Sequence, residues 1–596
     1  MSNAMRSHDA GTLNASFEGK PVRVAGWVHS RRDHGGVYFF DLRDRSGLVQ
    51  VVVHPDKAEA FLIAAKLGAE FVVSVSGTVQ KRPQGTENPK LPTGEIELSA
   101  DSVTVLNTSK TLPFEIDDHT TVNEEARLKY RFLDLRRRRM LRNLTTRHTI
   151  AMAARNALAA EGFLEVETPI LTKATPEGAR DFLVPSRLNA GMFYALPQSP
   201  QIFKQMLMAS GIEKYMQLGR CFRDEDLRAD RQYEHTQIDV EMSFVEEGDV
   251  HAACEKMMQA IFKAAIGVEI KAPFPRLDYF DAMRRFGSDK PDQRYGFEIV
   301  DLTDELKACG FKVFGGAIAA GGVVRAISCA SEYSRSEIDK LTDVAKIYGA
   351  KGLAWIKWTA AGPETPIAKF MTPAELDAIK AKTAAKPGDY TFFAADKEIP
   401  ASTVLGAIRK EIIARLKPAP STPWHFSWIT NFPLLEWEAD EKRWTFAHNP
   451  FTRPLDSDAP KLDTDPASVR SHQYDLVLNG VELASGSIRN HSGAMQRKIL
   501  GLMGFDDVEQ QRQFGLLLSA LDYGAPPHGG FGMGLDRLTA LLCGEDSIRE
   551  VIAFPKTQRG TDPLSEAPSQ VKDKQLKELH IKLELPPAAV PAAVKS

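Results

Sequence analysis

The segment QIDVEMSF, residues 237–244, alternates without error. Gln237, Asp239, Glu241 and Ser243 fall on one face, and Ile238, Val240, Met242 and Phe244 on the other. This predicts a half-buried strand with a polar working face. Its antiparallel partner is expected upstream at about residues 215–223, ending in Arg223, Asp224 and Glu225, with a charged loop through Arg228 and Arg231 between them. In DLVLNGVEL, residues 475–483, Asn479-Gly480 fits a two-residue type I′ hairpin. Leu478 then faces Val481, Val477 faces Glu482, and Asp475 is the diagonal neighbour of Glu482. A third pattern, GGFGMGLDRLTALL at residues 529–542, changes period halfway. Gly530, Gly532 and Gly534 alternate, then Leu535, Leu538, Leu541 and Leu542 take helical spacing up to Gly544, so a strand feeds a helix.

Between residues 17 and 107, short β-rich runs (PVRVAGWVHS, VYFFDLRD, LVQVVV, FVVSVSGTV, GEIELSADSVTVL) are separated by turn-rich segments, with one helical stretch at residues 58–67. This is the pattern of a five-stranded OB-fold β-barrel. A linker with Pro113 and an arginine run at residues 136–139 follows. Residues 286–420 open on a Gly/Ala-rich FGGAIAAGGVVRAI, carry helical signals at residues 334–348 and 372–384, and hold no catalytic motif. The C-terminal LPPAAVPAAVKS is too rich in Pro and Ala to pack well and is expected to be mobile.

A chain of 596 residues predicts several domains. The net charge of −3 carries no global nucleic-acid signal, so RNA binding would rest on local patches such as Arg31-Arg32 or residues 136–139, either of which also reads as a solvated face. Five cysteines without a CxxC or CxxH pattern indicate neither a disulfide framework nor a zinc site. No secretory signal or spanning apolar stretch is present, so a cytoplasmic protein with no membrane contact is expected. Residues 1–4 read as an expression remnant before a native Met5.

Three features carry chemistry. Arg537, in the first turn of a helix, stands where free N–H groups and the dipole favour a phosphate. The glycines before it either admit a ligand to the backbone or permit tight packing. Asp475 and Glu482 on one sheet face either hold a cation, Mg²⁺ by their oxygen-only chemistry, or are two solvated acids.

GFLEVETPIL (residues 162–171), FRDED through QIDVE (222–241) and GFGMGLDR (530–537) resemble, in order and separation, motifs one, two and three of the class II aminoacyl-tRNA synthetases. ETPILTKATPEGARDFLVPSR, ALPQSPQIFKQ and the large insertion between motifs two and three are similar to the bacterial aspartyl branch rather than the lysyl or asparaginyl one. The resemblance runs from about residue 6 to about 563. It implies a multidomain α+β chain. An OB-fold anticodon-binding domain (5–112) and a hinge (113–140) lead to an antiparallel catalytic sheet flanked by helices (141–285 and 421–563). An α/β, amidotransferase-B-like insertion (286–420) interrupts that sheet, and an extension (564–596) ends the chain.

The resemblance further implies that L-aspartate attacks ATP to give aspartyl-adenylate and pyrophosphate, and that the aspartyl group then passes to the terminal ribose of a tRNA. Arg223 would serve the α-phosphate, Arg537 the terminal phosphate, and Asp475 and Glu482 the Mg²⁺. Asp224, Glu225, Gln232, Glu482, Gly534, Leu535 and Asp536 would complete the ATP site. Ser199, Gln201, Lys204, Arg223, Asp239, His448 and Arg489 would bind aspartate, with Glu177 on a mobile loop near its ammonium. Lys204 and Arg489 would pair the side-chain carboxylate, and asparagine would leave both cations uncompensated. One departure is Asn449, where the family often has a second histidine. In the barrel, Phe39 would stack an anticodon base beside Arg32, Gln50 and Glu97, although read without the family Phe39 is a core residue. His34 and Gly85 stand where relaxed enzymes of the family carry His and Gly, which implies charging of both tRNA(Asp) and tRNA(Asn), an Asp-tRNA(Asn) amidotransferase in the same cell, and a homodimer built on motif one. The alternatives are a strict tRNA(Asp) ligase, a tRNA-independent asparagine synthetase and a non-enzymatic RNA-binding paralogue.

Overall fold

The computed structural model describes residues 5–119, 121–175 and 178–585; the expected N-terminal remnant and the Pro/Ala-rich tip lie outside them. The chain separates into two units, residues 1–142 and 143–596.

In the first unit β1 (Pro21–His34), β2 (Val37–Arg43), β3 (Leu48–Val53), β4 (Val72–Lys81) and β5 (Ile96–Asn107) close into a barrel in the order β1-β2-β3-β5-β4, with a helix at Ala58–Ala64 between β3 and β4. Each expected run holds one strand. Alternation drives the closure: Val24, Phe40, Val51, Val75 and Leu98 fill the interior. Phe39 lies on the other face from Phe40 and is only half-buried, outside the core.

The arginine run is not an RNA patch throughout. Asp134 is buried between Arg127 (3.0 Å), Arg131 and Arg137 (3.2 Å). Burial opposes its ionisation, but the three guanidiniums outweigh it and hold the carboxyl below its ordinary range. Arg136 bonds Glu70 at 2.8 Å and lies over Trp27. Arg138 and Arg139 are at the surface. Arg31 is likewise structural, donating to the Ala65 carbonyl at 2.6 Å beneath Tyr38, whereas Arg32 reaches the outer face.

The second unit is built on an eight-stranded sheet of β6 (Leu164–Glu165), β7 (Lys214–Phe222), β8 (Glu234–Ser243), β9 (Arg276–Asp278), β10 (Phe426–Thr430), β11 (Gln473–Leu478), β12 (Val481–Ile488) and β13 (His528–Gly534). Their spatial order is β9-β10-β11-β12-β13-β8-β7-β6. Only the outermost pairs are parallel. One face packs Ile238, Val240, Leu476, Phe531 and Met533 against the helices Arg138–Ala160 and Glu247–Ile266. The other face, where the glycines leave space, carries the polar residues.

Between β9 and β10 the chain forms a second, five-stranded sheet in the order Val300–Asp301, Val323–Ala330, Asp389–Asp396, Ala354–Thr359, Gly362–Glu364. Both expected helices are present, Arg335–Ile347 and Pro373–Thr383, each opened by a capping box. A longer helix, Glu398–Leu416, packs on the same sheet.

His251 is buried under the main sheet, stacked on Trp428 with ring centroids 4.0 Å apart, and neither ring nitrogen has a hydrogen-bond partner. Burial, aided by Arg276, pushes it down to about 3 from an ordinary 6.5. The imidazole is therefore neutral when folded, and protonation favours the unfolded chain. Stability falls as pH drops below 6.5, by about 1.4 kcal/mol per unit from this group, until about pH 3. In urea titrations across that window, His251→Phe makes the loss shallower by that amount; an unchanged slope refutes the assignment.

Candidate active site

β7 ends at Phe222, the chain leaves the sheet as Arg223-Asp224-Glu225, and β8 brings it back. The Arg223 amide donates to Tyr233 O at 2.8 Å and pins the base of this loop. Across the sheet, β13 runs antiparallel to both β8 and β12, and the helix Leu535–Cys543 starts directly from Gly534 and stops at Gly544, as its spacing predicts. These elements bound a cleft of about 400 Å³ lined by Arg223, Glu225, Asp230, Gln232, Lys290, Glu482, Gly534 and Arg537, with His235 and Gln237 among its walls.

The charges of the cleft are mixed: Arg223, Arg231, Lys290 and Arg537 stand beside Glu225, Asp230, Glu482 and Asp536. Arg537 donates to the Glu482 carbonyl at 2.6 Å and approaches Asp230 at 3.4 Å. The Nε of Arg223 is buried without a partner, which leaves a donor for a ligand oxygen. Burial first, then Arg223, Arg220 and Arg537, push His235 down to about 3, so it faces the cleft uncharged. Glu225 pairs with Arg231 at 2.8 Å, and Gln232 exchanges hydrogen bonds with the Lys556 main chain at 2.8 and 3.2 Å.

Three expected nucleotide contacts sit otherwise. Asp536 borders the cleft, but its carboxylate is engaged by Arg147 and by the Thr236 amide at 2.8 Å. It fixes the helix to β8. Leu535 is buried in the core and is not among the cleft residues. Asp224 lies beside Arg180, 3.9 Å away, and is not among the cleft residues.

The polar face of β8 is a correction. It is expected half-exposed, yet Asp239 and Glu241 are as buried as the apolar face, because the helix Gln201–Ala209 packs across it. That helix delivers Lys204, whose ammonium is 3.2 Å from Asp239 and 3.3 Å from Glu241, while Arg489 from the end of β12 bonds Glu241 at 3.0 Å. Lys204 and Arg489 are therefore compensated before any ligand arrives, and the expectation that asparagine would strand two bare cations does not hold. Burial opposes ionisation of Glu241, but Arg489 and Lys204 outweigh it and hold the carboxyl down; at Asp239 burial dominates and pushes it up. Asp239 Oδ2 has no partner, an acceptor suited to an ammonium.

Gly530 is opposite Glu241 and Gly532 opposite Asp239. A Cβ on Gly530 would lie 2.0 Å from Val240 O and 2.4 Å from Glu241 Oε2, so this glycine serves packing; one on Gly532 would lie 3.2 Å from Asp239 Oδ1, at the cleft edge. Gln201 bonds Gln205 at 3.0 Å, which reaches His528 at 3.1 Å. Ser199 lines a separate small cavity, and Glu177 lies outside the described residues.

Asn479 and Gly480 both take positive φ, 52° and 81°, and the pairs Leu478–Val481 and Val477–Glu482 form as expected. A bulge at Leu483 then sets Asp475 opposite Ser485. Asp475 is fully buried and accepts from Gln473 at 3.0 Å; burial, opposed by His448 and reinforced by the Glu482 charge, pushes it up to about 6. The Glu482 charge adds to the cost of ionising Asp475, a cost that a cation between the two carboxylates would relieve. Among the described residues no cluster of three or more acidic, His or Cys side chains forms a metal site, so phosphate oxygens and water would complete the shell. His448 packs edge-on against Phe432. Asn449 accepts from the Phe451 amide at 3.0 Å and donates to Gln473 at 3.2 Å, a structural anchor for the segment that carries His448.

On the barrel, Arg32, Gln50, Glu97 and Gln80 form one row: Arg32 donates to Gln50 at 3.3 Å, and Gln50 and Gln80 donate to the two oxygens of Glu97 at 2.8 and 3.0 Å. Phe39 stands opposite Arg32, and His34 meets its ring edge-to-face at 6.3 Å. Gly85 takes φ +86° with open space around its missing Cβ, so its turn geometry alone is a sufficient reason for glycine.

Sequence reasoning missed Lys290, Asp230, His235 and Gln237 as cleft residues. For Gln237 the signal was present, in the same polar face as Asp239. For Lys290, inside GSDKPDQR, no periodicity marks it.

A cleft with Arg223 and Arg537 on an antiparallel sheet, beside a buried charged subsite and in a chain that opens with an OB barrel, defines a nucleotide-using ligase with a nucleic-acid-binding module. Residues 22–106 match the OB-fold nucleic acid binding domain, and residues 123–558 match the tRNA synthetases class II (D, K and N). The chain belongs to the class II tRNA synthetases. It is 54% identical over 97% of its length to the aspartate–tRNA(Asp/Asn) ligase of Moorella thermoacetica, covering 96% of that protein, and 55% identical over 97% of its length to that of Elusimicrobium minutum, covering 100%. Asparaginyl-tRNA synthetase from Pyrococcus horikoshii, complexed with asparaginyl-adenylate, shares the fold with a TM-score of 0.58 at 20% identity over 91% of this chain and 96% of that one.

Proposed function

We propose that the protein is an aspartate–tRNA(Asp/Asn) ligase. The observation that carries this reading is the pairing of the Arg223–Arg537 cleft with the Lys204–Asp239–Glu241–Arg489 cluster on one sheet face. ATP lies in the cleft with its α-phosphate at Arg223 and its terminal phosphate at Arg537. Aspartate lies over Asp239, its ammonium on the free Oδ2 and its side-chain carboxylate between Lys204 and Arg489. The α-carboxylate attacks in line and pyrophosphate leaves; the terminal ribose hydroxyl of the tRNA then takes the aspartyl group. No protein nucleophile is required, since positioning and preorganised charge lower the barrier. Asp475 and Glu482 would hold Mg²⁺, which when bound neutralises phosphate charge. The relatives' printed names and the row Arg32–Gln50–Glu97 beside Phe39 support anticodon reading by the barrel, with His34 against Phe39 favouring relaxed choice between tRNA(Asp) and tRNA(Asn). A homodimer fits the exposed Leu164, Ile170 and Leu171 of motif one. No helix of the described residues is long and apolar enough to cross a membrane. Work in the cytoplasm and a functional link to an Asp-tRNA(Asn) amidotransferase belong to the same proposed reading.

The test is aspartylation of tRNA(Asp) and tRNA(Asn) transcripts side by side at matched concentrations. Comparable charging of both is expected. Charging of tRNA(Asp) alone removes the relaxed reading and keeps the ligase; charging of neither removes both.

A further inference from the structure

The segment of residues 288–297, at the start of the insertion, belongs to the nucleotide site in this structure. Lys290 lines the cleft, with its ammonium 3.5 Å from Oε2 of Glu482, whose other oxygen, Oε1, lies 4.0 Å from Arg537. The segment is held from two directions. Gln293 donates to the Ser427 hydroxyl at 3.0 Å, and Asp292 packs on the hairpin turn so closely that a Cβ on Gly480 would lie 2.9 Å from its own Cβ. From the insertion side, Arg409 on the helix Glu398–Leu416 donates to the Asp292, Tyr295, Gly296 and Phe297 carbonyls at 2.8–3.1 Å. Arg409 has no carboxylate partner among those bonds; its buried guanidinium is committed to main-chain carbonyls, which fixes the path of the segment.

We infer that Lys290 is a further nucleotide-binding residue, a cation on the β- and γ-phosphates opposite Arg537, and that Arg409 is its positioning residue. This rests on the ligase reading above and deepens it. The chemistry is simple. Lys290 is a partly exposed point charge whose paired acid among the described residues, Glu482, is also the acid expected to take up a cation with the incoming triphosphate. With Glu482 engaged by a cation, the Lys290 ammonium would be left to the phosphates. The insertion, which carries no catalytic motif of its own, thereby contributes a charge to the reaction of the main sheet.

The test is ATP–pyrophosphate exchange with the full chain and saturating aspartate, on Lys290→Ala, Lys290→Arg and Arg409→Lys, together with calorimetric binding of Mg·ATP without amino acid. Lys290→Ala is expected to raise KM for ATP and for pyrophosphate roughly tenfold while leaving KM for aspartate within about twofold. Lys290→Arg restores most of the loss. Arg409→Lys, folded by circular dichroism, gives the same split in smaller degree, whereas a merely structural role would move all three constants or the melting curve alone. Unchanged KM values for ATP and pyrophosphate in Lys290→Ala overturn the inference. Should the wild type catalyse no exchange, the ligase reading fails by itself, and the calorimetry still decides for or against Lys290 by whether Mg·ATP affinity falls.

Discussion

Arg223→Ala is expected to lower kcat of aspartate-dependent ATP–pyrophosphate exchange by roughly 10²–10³, the typical loss when one preorganised donor to developing charge is removed. The fold is expected to survive. The hydrogen bond that pins this loop comes from the Arg223 main chain, at 2.8 Å from Tyr233 O, and the side chain's Nε has no protein partner to lose. Circular dichroism and the urea midpoint of the variant should therefore match those of the wild type. Arg223→Lys is not expected to rescue, because a point charge cannot reproduce the planar fork that addresses two phosphate oxygens at once. Exchange within threefold of the wild type in Arg223→Ala would mean that the reacting phosphate lies elsewhere in the cleft.

Where local physics sets geometry, the sequence was legible. QIDVEMSF can only be a strand, because a period of two over eight residues has no helical equivalent, and β8 spans most of it. Asn479-Gly480 read correctly as a type I′ turn, since both residues tolerate positive φ. The barrel strands were readable for the same reason. What failed was information held by distant segments. Burial of Asp239 and Glu241 depends on a helix that begins at Gln201, and no strand pattern announces a roof. The bulge at Leu483 lies in a hairpin flanked by β10 and β13, and the turn that defines the register near it is silent about the bulge. Asp536 reads as a ligand from its position in the motif, yet it is taken by Arg147, more than three hundred residues upstream. Lys290 reads as surface charge until the Glu398–Leu416 helix places it. Of the residues the family resemblance names, Arg223, Glu225, Gln232, Glu482, Gly534, Asp536 and Arg537 line one cleft, whereas Asp224 and Ser199 lie outside it, and the motifs are silent on which side chains are already paired.

That pairing sets the second large effect. Arg489→Met strands Glu241, a fully buried carboxylate, with only Lys204 at 3.3 Å, and Glu241→Leu strands Arg489 with the Ser487 hydroxyl at 3.0 Å. Each single change is expected to cost about 3–5 kcal/mol in urea unfolding, the usual result of leaving one buried charge alone. The double variant should recover much of this, because a buried ion pair replaced by apolar side chains loses both the attraction and the desolvation penalty; a coupling of at least about 2 kcal/mol is expected in the cycle. Aspartate activation should not recover with it, since the guanidinium proposed to bind the side-chain carboxylate is gone. Stability and substrate binding therefore separate in one set of variants. Additive losses would remove the energetic coupling of Arg489 to Glu241, and exchange activity in the double variant would remove Arg489 from the aspartate site. The same reasoning bounds selectivity. With Lys204 and Arg489 already balanced by Asp239 and Glu241, rejection of asparagine under the proposed function would rest on preoriented donors that aspartate accepts from with two oxygens and asparagine with one.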